Sequence, residues 1–330
     1  MAPRKRSGLR MGEIVLSTFW SGRAGPYEKL CLTSWLVHGF QVEVYTMDEE
    51  EIDLPAGVMR RDAREIFQSD RIWRYEHGPR KGSAALHSNL IRYRLLERGK
   101  WWLDMDVVLL RNKLPAGDFF LSWESNHTIG TAVMRLPPGS DLLRKTTEIA
   151  DAAAPTAKWG EIGPTLVTRL VRELGLTERV SNTHVAYPIH FSKAGQMFDP
   201  AAREEVETAT RRATFLHLWN TTVREVGLPD FLGPPSGSYL DSLFQRFGLA
   251  EAFTMRMPAE YAKRSWNLGW ANRLLKGRVL GLEAALKQAT EQVQALRDSF
   301  EDATQTVQEL RAENDCLRDA LNQNRTERII

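Results

Sequence analysis

Residues 277–330 constrain the chain more than any other stretch. Val279, Leu286, Val293, Phe300, Val307, Asn314 and Leu321 recur every seven positions, and Leu282, Ala289, Leu296, Ala303, Leu310 and Leu317 follow the first six by three. This alternating three/four spacing puts an apolar seam along one side of a helix, and its 3.5-residue period predicts a left-handed coiled coil. All ten Trp and all fifteen Pro lie before position 276. Charge changes at the same place, with seven basic against ten acidic side chains from Gly277 onward and 37 against 32 before it. The chain is therefore expected to have unlike parts: a disordered basic leader over 1–10, a folded domain over 11–250, a helical connector over 251–276 and a coiled coil over 277–324. Asn314 at a seam position fixes register, most often in parallel dimers, so the expected partner is a second copy through residues 279–321. The alternative is a long amphipathic helix folded back on its own domain. The narrow stripe and charged opposite faces favour the intermolecular pairing.

Composition narrows the class of the folded part. The whole chain carries 44 basic and 42 acidic side chains among 330 residues, which argues against a dedicated nucleic-acid binder. Cys31 and Cys316 are too far apart in sequence to suggest a disulfide framework or a zinc site. No uninterrupted apolar run is long enough to span a bilayer. The basic N-terminus runs into a short apolar stretch, Ile14–Trp20, with no small-residue cleavage site behind it. A cytoplasmic location is expected, with peripheral contact at the inner membrane face as its variant.

Upstream of the tail, strand and helix patterns alternate, which predicts an α/β fold with a largely parallel sheet. Strands are expected at Glu13–Thr18, Gln41–Thr46, Trp101–Asp104, Asp118–Trp123, Thr128–Leu136 and Thr214–Trp219. Helices are expected at Pro26–His38, which begins with proline, and at Ser83–Arg98, which ends at Gly99. A further helix is expected at Thr165–Leu174.

The candidate chemistry sits in Trp101-Trp-Leu-Asp-Met-Asp-Val-Val-Leu-Leu110. Asp104 and Asp106 stand one residue apart where a buried strand runs out. In open α/β sheets that edge binds ligands, and a tight acidic turn can hold a hard divalent cation together with a diphosphate. The triplet alone is weak evidence, since sixteen aspartates make roughly one Asp-x-Asp expected by chance.

Its context is more specific. Ser88-Asn-Leu-Ile-Arg-Tyr-Arg-Leu-Leu-Glu-Arg-Gly99 leads directly into the acidic segment. Phe19-Trp20, Ser34-Trp-Leu-Val-His-Gly39, Tyr45-Thr46, Asp62-Ala63, Ile162-Gly-Pro-Thr165 and His217-Leu-Trp-Asn220 accompany it in order. Over about residues 11–245 this pattern resembles the bacterial proteins of glycosyltransferase family 32. Their core is the DXD-containing sugar-binding region, found also in α-1,4-galactosyltransferases and in the large clostridial glucosylating toxins. The coiled-coil tail lies outside the resemblance.

The resemblance implies a GT-A fold, Rossmann-like and nucleotide-sugar-binding. It implies retaining transfer of a hexose from a UDP-sugar donor to a glycan, glycolipid or protein acceptor, with Mn²⁺ or Mg²⁺ as cofactor. Carried over by position, Asp106 would contact the metal, Asp104 would reach the metal, ribose and donor sugar, and His217 of the His-x-Trp element would complete the metal site. An imidazole ligand favours Mn²⁺ over Mg²⁺. Arg92 would hydrogen-bond donor oxygens. Asn89 stands where the family usually has Asp, and would contact sugar hydroxyls. Ser17, Thr18, Phe19 and Trp20 would bind uridine, Trp20 by stacking on the base, with a core role open for either aromatic. Gly163-Pro164 matches the family's turn before a helix near the acceptor, while no nucleophile can be assigned, Glu161 included. Asn89, Lys100 and Met105 depart from the family pattern, and they favour the competing reading of a catalytically weakened scaffold protein oligomerised by its coiled coil. A two-metal phosphohydrolase fits less well, because only one acidic pair is present.

Overall fold

The structure is a computed structural model describing residues 14–47, 52–78 and 80–327, with the backbone alone for 321–327. The expected leader over 1–10 lies outside the described residues, as do Glu13 of the first expected strand and the side chain of Leu321. Two compact units divide between Trp270 and Ala271.

In chain order the first unit runs β1 (Val15–Phe19), α1 (Pro26–Val37), β2 (Gln41–Thr46), β3 (Val58–Asp62), α2 (Ala85–Glu97), β4 (Trp101–Leu103), β5 (Val107–Leu109), β6 (Phe120–Trp123) and β7 (Ile129–Arg135). It continues with α3 (Asp141–Ala153), α4 (Leu166–Glu173), α5 (Thr183–Ala186), α6 (Arg203–Thr210), β8 (Phe215–His217), α7 (Asn220–Glu225) and α8 (Tyr239–Arg246). The start of α9 (Ala259–Glu327) closes it. The α/β fold is as expected, and the long C-terminal helix is present.

Six strands form one sheet in the order β3-β2-β1-β4-β7-β6. The β1–β2, β2–β3 and β1–β4 pairs are parallel, and β4–β7 and β6–β7 are antiparallel. The sheet is thus parallel in one half only, because the short link between β6 and β7 can join antiparallel strands but not parallel ones. Strand order reverses between β2-β1 and β1-β4, and the crevice at the carboxyl ends of β1 and β4 is the place such sheets bind ligands.

Period-two alternation divides the core between the two faces. Leu16, Val42, Val44, Trp101, Leu103 and Val133 pack in one cluster. Tyr45, Trp102 and Met134 pack in the other. Burial on both faces explains why β4 reads as a continuous apolar run, whereas β2 alternates Val42 and Val44 with Glu43, which is itself buried. A separate antiparallel ribbon pairs β5 with β8, setting Val107 opposite His217 and Leu109 opposite Phe215.

A helical connector from 251 was expected, but the helix starts at Ala259. Before it, Gly233 and Arg256 form an isolated bridge that holds the chain extended, and Pro258 leads into the first turn. Among the described residues no helix is long and apolar enough to cross a membrane. In the second unit the helix is continuous from Ala271, and Leu282, Leu286, Val293, Leu296, Phe300 and Leu310 are exposed.

Candidate active site

Asp104 leaves β4 at the switch point, with its N–H donating to the Ala132 carbonyl at 2.7 Å. The Val107 N–H closes the turn onto the Asp104 carbonyl at 3.1 Å. Met105, between the two aspartates, packs into the core and is 3% exposed. A nonpolar residue at this position therefore anchors the turn while both carboxylates face the other way.

The turn is held from three sides. Trp35 Nε1 of α1 donates to the Val107 carbonyl at 2.8 Å, and the Leu109 N–H donates to Ser34 Oγ at 2.9 Å. These two side chains satisfy the edge of β5 that β8 leaves open. On the other edge the ribbon brings His217 beside Asp106, with Nε2 3.1 Å from Asp106 Oδ1. The Asn220 N–H donates to Asp106 Oδ2 at 3.0 Å. Between them, Trp219 adopts φ 59°, an outlier for a bulky residue, with Nε1 donating to the Ile189 carbonyl at 2.8 Å. That turn lets residues 217 and 220 both reach Asp106. Buried Glu28 of α1 then fixes α7, accepting from Asn220 Nδ2 at 3.1 Å and Arg224 Nη2 at 2.7 Å.

Asp104, Asp106 and His217 each offer a ligand atom within 4.8 Å of the others. Burial alone would raise the Asp106 carboxyl, but His217, the Asn220 N–H and Arg224 outweigh it and hold it below the ordinary carboxylate value. Burial would likewise lower His217, yet Asp106, then Asp104 and Glu124, hold it above the ordinary imidazole value. His217 Nδ1 is buried without a hydrogen-bond partner. Two carboxylates and an imidazole with an unused nitrogen suit a divalent cation of intermediate softness, so the residues present fit one.

Arg92 of α2 is buried rather than solvated. Its Nη2 donates to Asp104 Oδ1 at 2.8 Å, Nη1 donates to Asn89 Oδ1 at 2.5 Å, and its guanidinium lies 4.8 Å from the Trp102 ring centre. Its Nε is buried and unpaired. Asn89 Nδ2 donates in turn to the Tyr75 hydroxyl at 3.3 Å. A Cβ on Gly163 would lie 3.3 Å from Asn89 Oδ1, which explains a glycine there, and the Tyr93 hydroxyl donates to the Ile162 carbonyl at 2.7 Å. The Ile162-Gly163-Pro164 turn is thereby pinned to the helix that carries Arg92. Glu161 accepts from the Lys158 N–H at 2.8 Å and caps this local turn.

Ser17, Thr18, Phe19 and Trp20 lie at the carboxyl end of β1, on the same edge. The Ser17 and Thr18 hydroxyls and the Trp20 indole N–H are buried without partners. Phe19 is 5% exposed, in the core, with its ring 4.9 Å from that of His87. Trp20 is half-buried. Lys100, by contrast, belongs to the scaffold: its ammonium pairs with buried Glu43 and donates to the Tyr45 hydroxyl at 2.8 Å.

One residue escaped the sequence reading. β6 lies two antiparallel steps from β4 and so runs the same way, which places Glu124, just past its end, on the Asp104 edge. Burial pushes the Glu124 carboxyl up, His217 pulls it down and Asp104 pushes it up further. An acidic residue closing a strand was the available signal, but it becomes informative only once the direction of β6 is known.

Residues 155–229 match the sequence model of the alpha 1,4-glycosyltransferase conserved region. That stretch carries Gly163-Pro164, which lies against Asn89, and His217-Leu-Trp-Asn220, the turn that closes on Asp106. Over these 75 of its 330 residues the chain is similar to the alpha 1,4-glycosyltransferases. Among solved structures the chain is similar to the PaToxG glycosyltransferase, with 10% identity and a TM-score of 0.37 over 78% of this chain and 84% of that one. No curated protein sequence matches it.

Proposed function

We propose that the protein transfers a hexose, with retention, from a UDP-sugar to a glycan, glycolipid or protein acceptor, in a reaction dependent on a divalent cation. The observation that carries this reading is the convergence of Asp104, Asp106 and His217 at the switch point of the sheet. These three side chains would hold Mn²⁺ in preference to Mg²⁺, since imidazole is a poor ligand for the harder ion. When bound, such a cation supplies Lewis-acid stabilisation to a departing diphosphate.

The remaining side chains bind and orient. Arg92, fixed by Asn89 and Asp104, keeps an unpaired Nε–H for a donor oxygen. Asn89 can contact sugar hydroxyls through the amide that bridges Arg92 and Tyr75. Ser17, Thr18, Phe19 and Trp20 border the uridine end, where the unpaired indole N–H is available to the nucleotide. Glu124 makes no side-chain hydrogen bond among the described residues. It is the carboxyl left to orient a sugar hydroxyl of the donor or acceptor.

The tail is proposed to pair two copies in parallel. In register, Arg278 of one helix would face Glu283 of the other, and Glu313 would face Arg318, with no like-charge pair at these flanking positions. Asn314 would meet its own counterpart, so that each amide finds a partner. The proposed organisation is thus a catalytic domain over 11–250, a connector and a pairing tail, in a cytoplasmic protein that can touch the inner membrane face.

Calorimetric titration of UDP with and without Mn²⁺, followed by UDP release from UDP-glucose, UDP-galactose and UDP-N-acetylglucosamine, tests the reading. Mn²⁺-dependent binding with release from one donor is expected. Binding that ignores Mn²⁺, with no release from any donor, overturns it in favour of a scaffold.

A further inference from the structure

A second candidate site opens at the other end of the β5/β8 ribbon. The ribbon starts at Asp106 and His217 and runs to Leu109 and Phe215, roughly 10 Å further along at strand rise. Beyond Leu110 lies a cavity of about 460 Å³ whose wall includes Arg111, Arg211, Arg246, Glu207, Thr210 and Tyr239. Its volume falls within the range of small-molecule sites.

Three guanidiniums face one carboxylate there. Two of the three are held in place by backbone. Arg111 Nε donates to the Ala213 carbonyl at 3.1 Å and its Nη2 to the Arg211 carbonyl, while Arg246 Nη2 donates to the Leu110 carbonyl at 2.9 Å. Neutral carbonyls fix these groups without cancelling their charge, and each guanidinium keeps further N–H donors. The Arg211 side chain has no hydrogen-bond or ion-pair partner among the described residues. Glu207, the one opposing carboxylate, is bonded to Arg203 Nε at 2.7 Å. Two wall hydroxyls are spent on backbone: Thr210 donates to the Val206 carbonyl at 2.8 Å and Ser242 to the Tyr239 carbonyl at 2.6 Å. What remains unspent in the cavity is cationic donor capacity of the kind that reads phosphate oxygens in pairs.

We propose that this cavity binds a phosphate-bearing ligand, separately from the nucleotide site at Asp104 and Asp106. The shared chemistry is a phosphate monoester or diester, carried either by a free solute or by a lipid headgroup. The inference stands independently of the donor assignment, since it uses none of those residues.

The test uses the full chain in EDTA, so that no cation can bring phosphate to the acidic pair. One arm titrates inorganic phosphate calorimetrically. The other measures co-sedimentation with phosphatidylcholine vesicles with and without phosphatidic acid. Saturable binding in either arm is expected, with Arg211→Gln weakening it roughly tenfold and Arg211→Lys, which keeps the charge, weakening it less. Thermal midpoints should match across the three proteins, because the Arg211 side chain has no partner to lose. Binding of phosphate alone identifies a solute ligand, and adhesion only to the phosphatidic acid vesicles identifies a headgroup. Absence of binding in both arms overturns the proposal. So does binding that Arg211→Gln leaves unchanged, or binding that Asp106→Asn abolishes.

Discussion

His87 illustrates how much one buried side chain can impose. It is fully buried between Phe19 and Phe67, with ring centres 4.9 and 5.5 Å away, and Nδ1 accepts from the Trp73 N–H at 3.3 Å. Burial, with Arg94 and Arg74 adding, pushes its pKa down to about 4. The unfolded chain takes up this proton near the ordinary imidazole value while the folded protein refuses it. Stability from this group is therefore complete above about pH 6.5 and is lost as pH falls from there to about 4, by up to roughly 3 kcal/mol. Urea denaturation across that window should show a smaller acid loss in His87→Gln than in the wild type. Lys100 gives a second residue-scale prediction. It departs from the pattern of the family the chain resembles, yet it pairs with Glu43 rather than touching the site. Lys100→Met should cost about 2 kcal/mol of stability, because Arg61 reaches Glu43 only at 3.4 Å. UDP release per folded molecule should stay at the wild-type rate. An unchanged stability or a lost rate would assign Lys100 differently.

At the scale of elements, α9 has a docked start. Ala262 and Trp266 are buried, and a Cβ on Gly195 would run into the Trp266 ring at 2.3 Å. A Cβ on Gly269 would lie 2.2 Å from the Val226 carbonyl oxygen, an atom of the backbone that cannot swing aside. Gly269→Ala should therefore destabilise the protein by about 2 kcal/mol, as overpacking does. Gly277→Ala meets nothing within 4 Å and should stabilise the helix by up to about 1 kcal/mol. Thermal denaturation of the two variants in opposite directions is the expected result. These elements also show what could be read in advance. β2 was legible to the residue because Val42 and Val44 alternate with polar neighbours over Gln41–Thr46. The heptad was legible because a long helix repeats its own signal. β5 was missed because Val107–Leu109 is only three residues long and directly follows the acidic turn, and only its pairing with β8 marks it as a strand. β3 was missed because Val-Met-Arg-Arg-Asp is mostly exposed and carries no alternation. Of the site, Asp104 and Asp106 stood out from their spacing and Arg92 from the resemblance, whereas Glu124, Glu28 and the strained Trp219 are brought in by topology and leave no local pattern.

The whole molecule combines a folded unit with a helix whose apolar seam stays exposed in a single chain. Phe300 and Leu296 are 74% and 71% exposed, a cost that pairing with a second copy would remove. Sedimentation equilibrium should give twice the 37.6 kDa chain mass, and Leu296→Lys should return it to a monomer. A concentration-independent monomer for the wild type would contradict the pairing. The central claim concerns the acidic turn. UDP release from a UDP-hexose in Mn²⁺ by the wild type and by Asp106→Asn, at matched stability, tests it most directly. The substitution keeps the turn's shape and removes one charge from the Asp104–Asp106–His217 cluster, so release should fall roughly 100-fold or more. Equal rates from the two proteins would contradict the assignment.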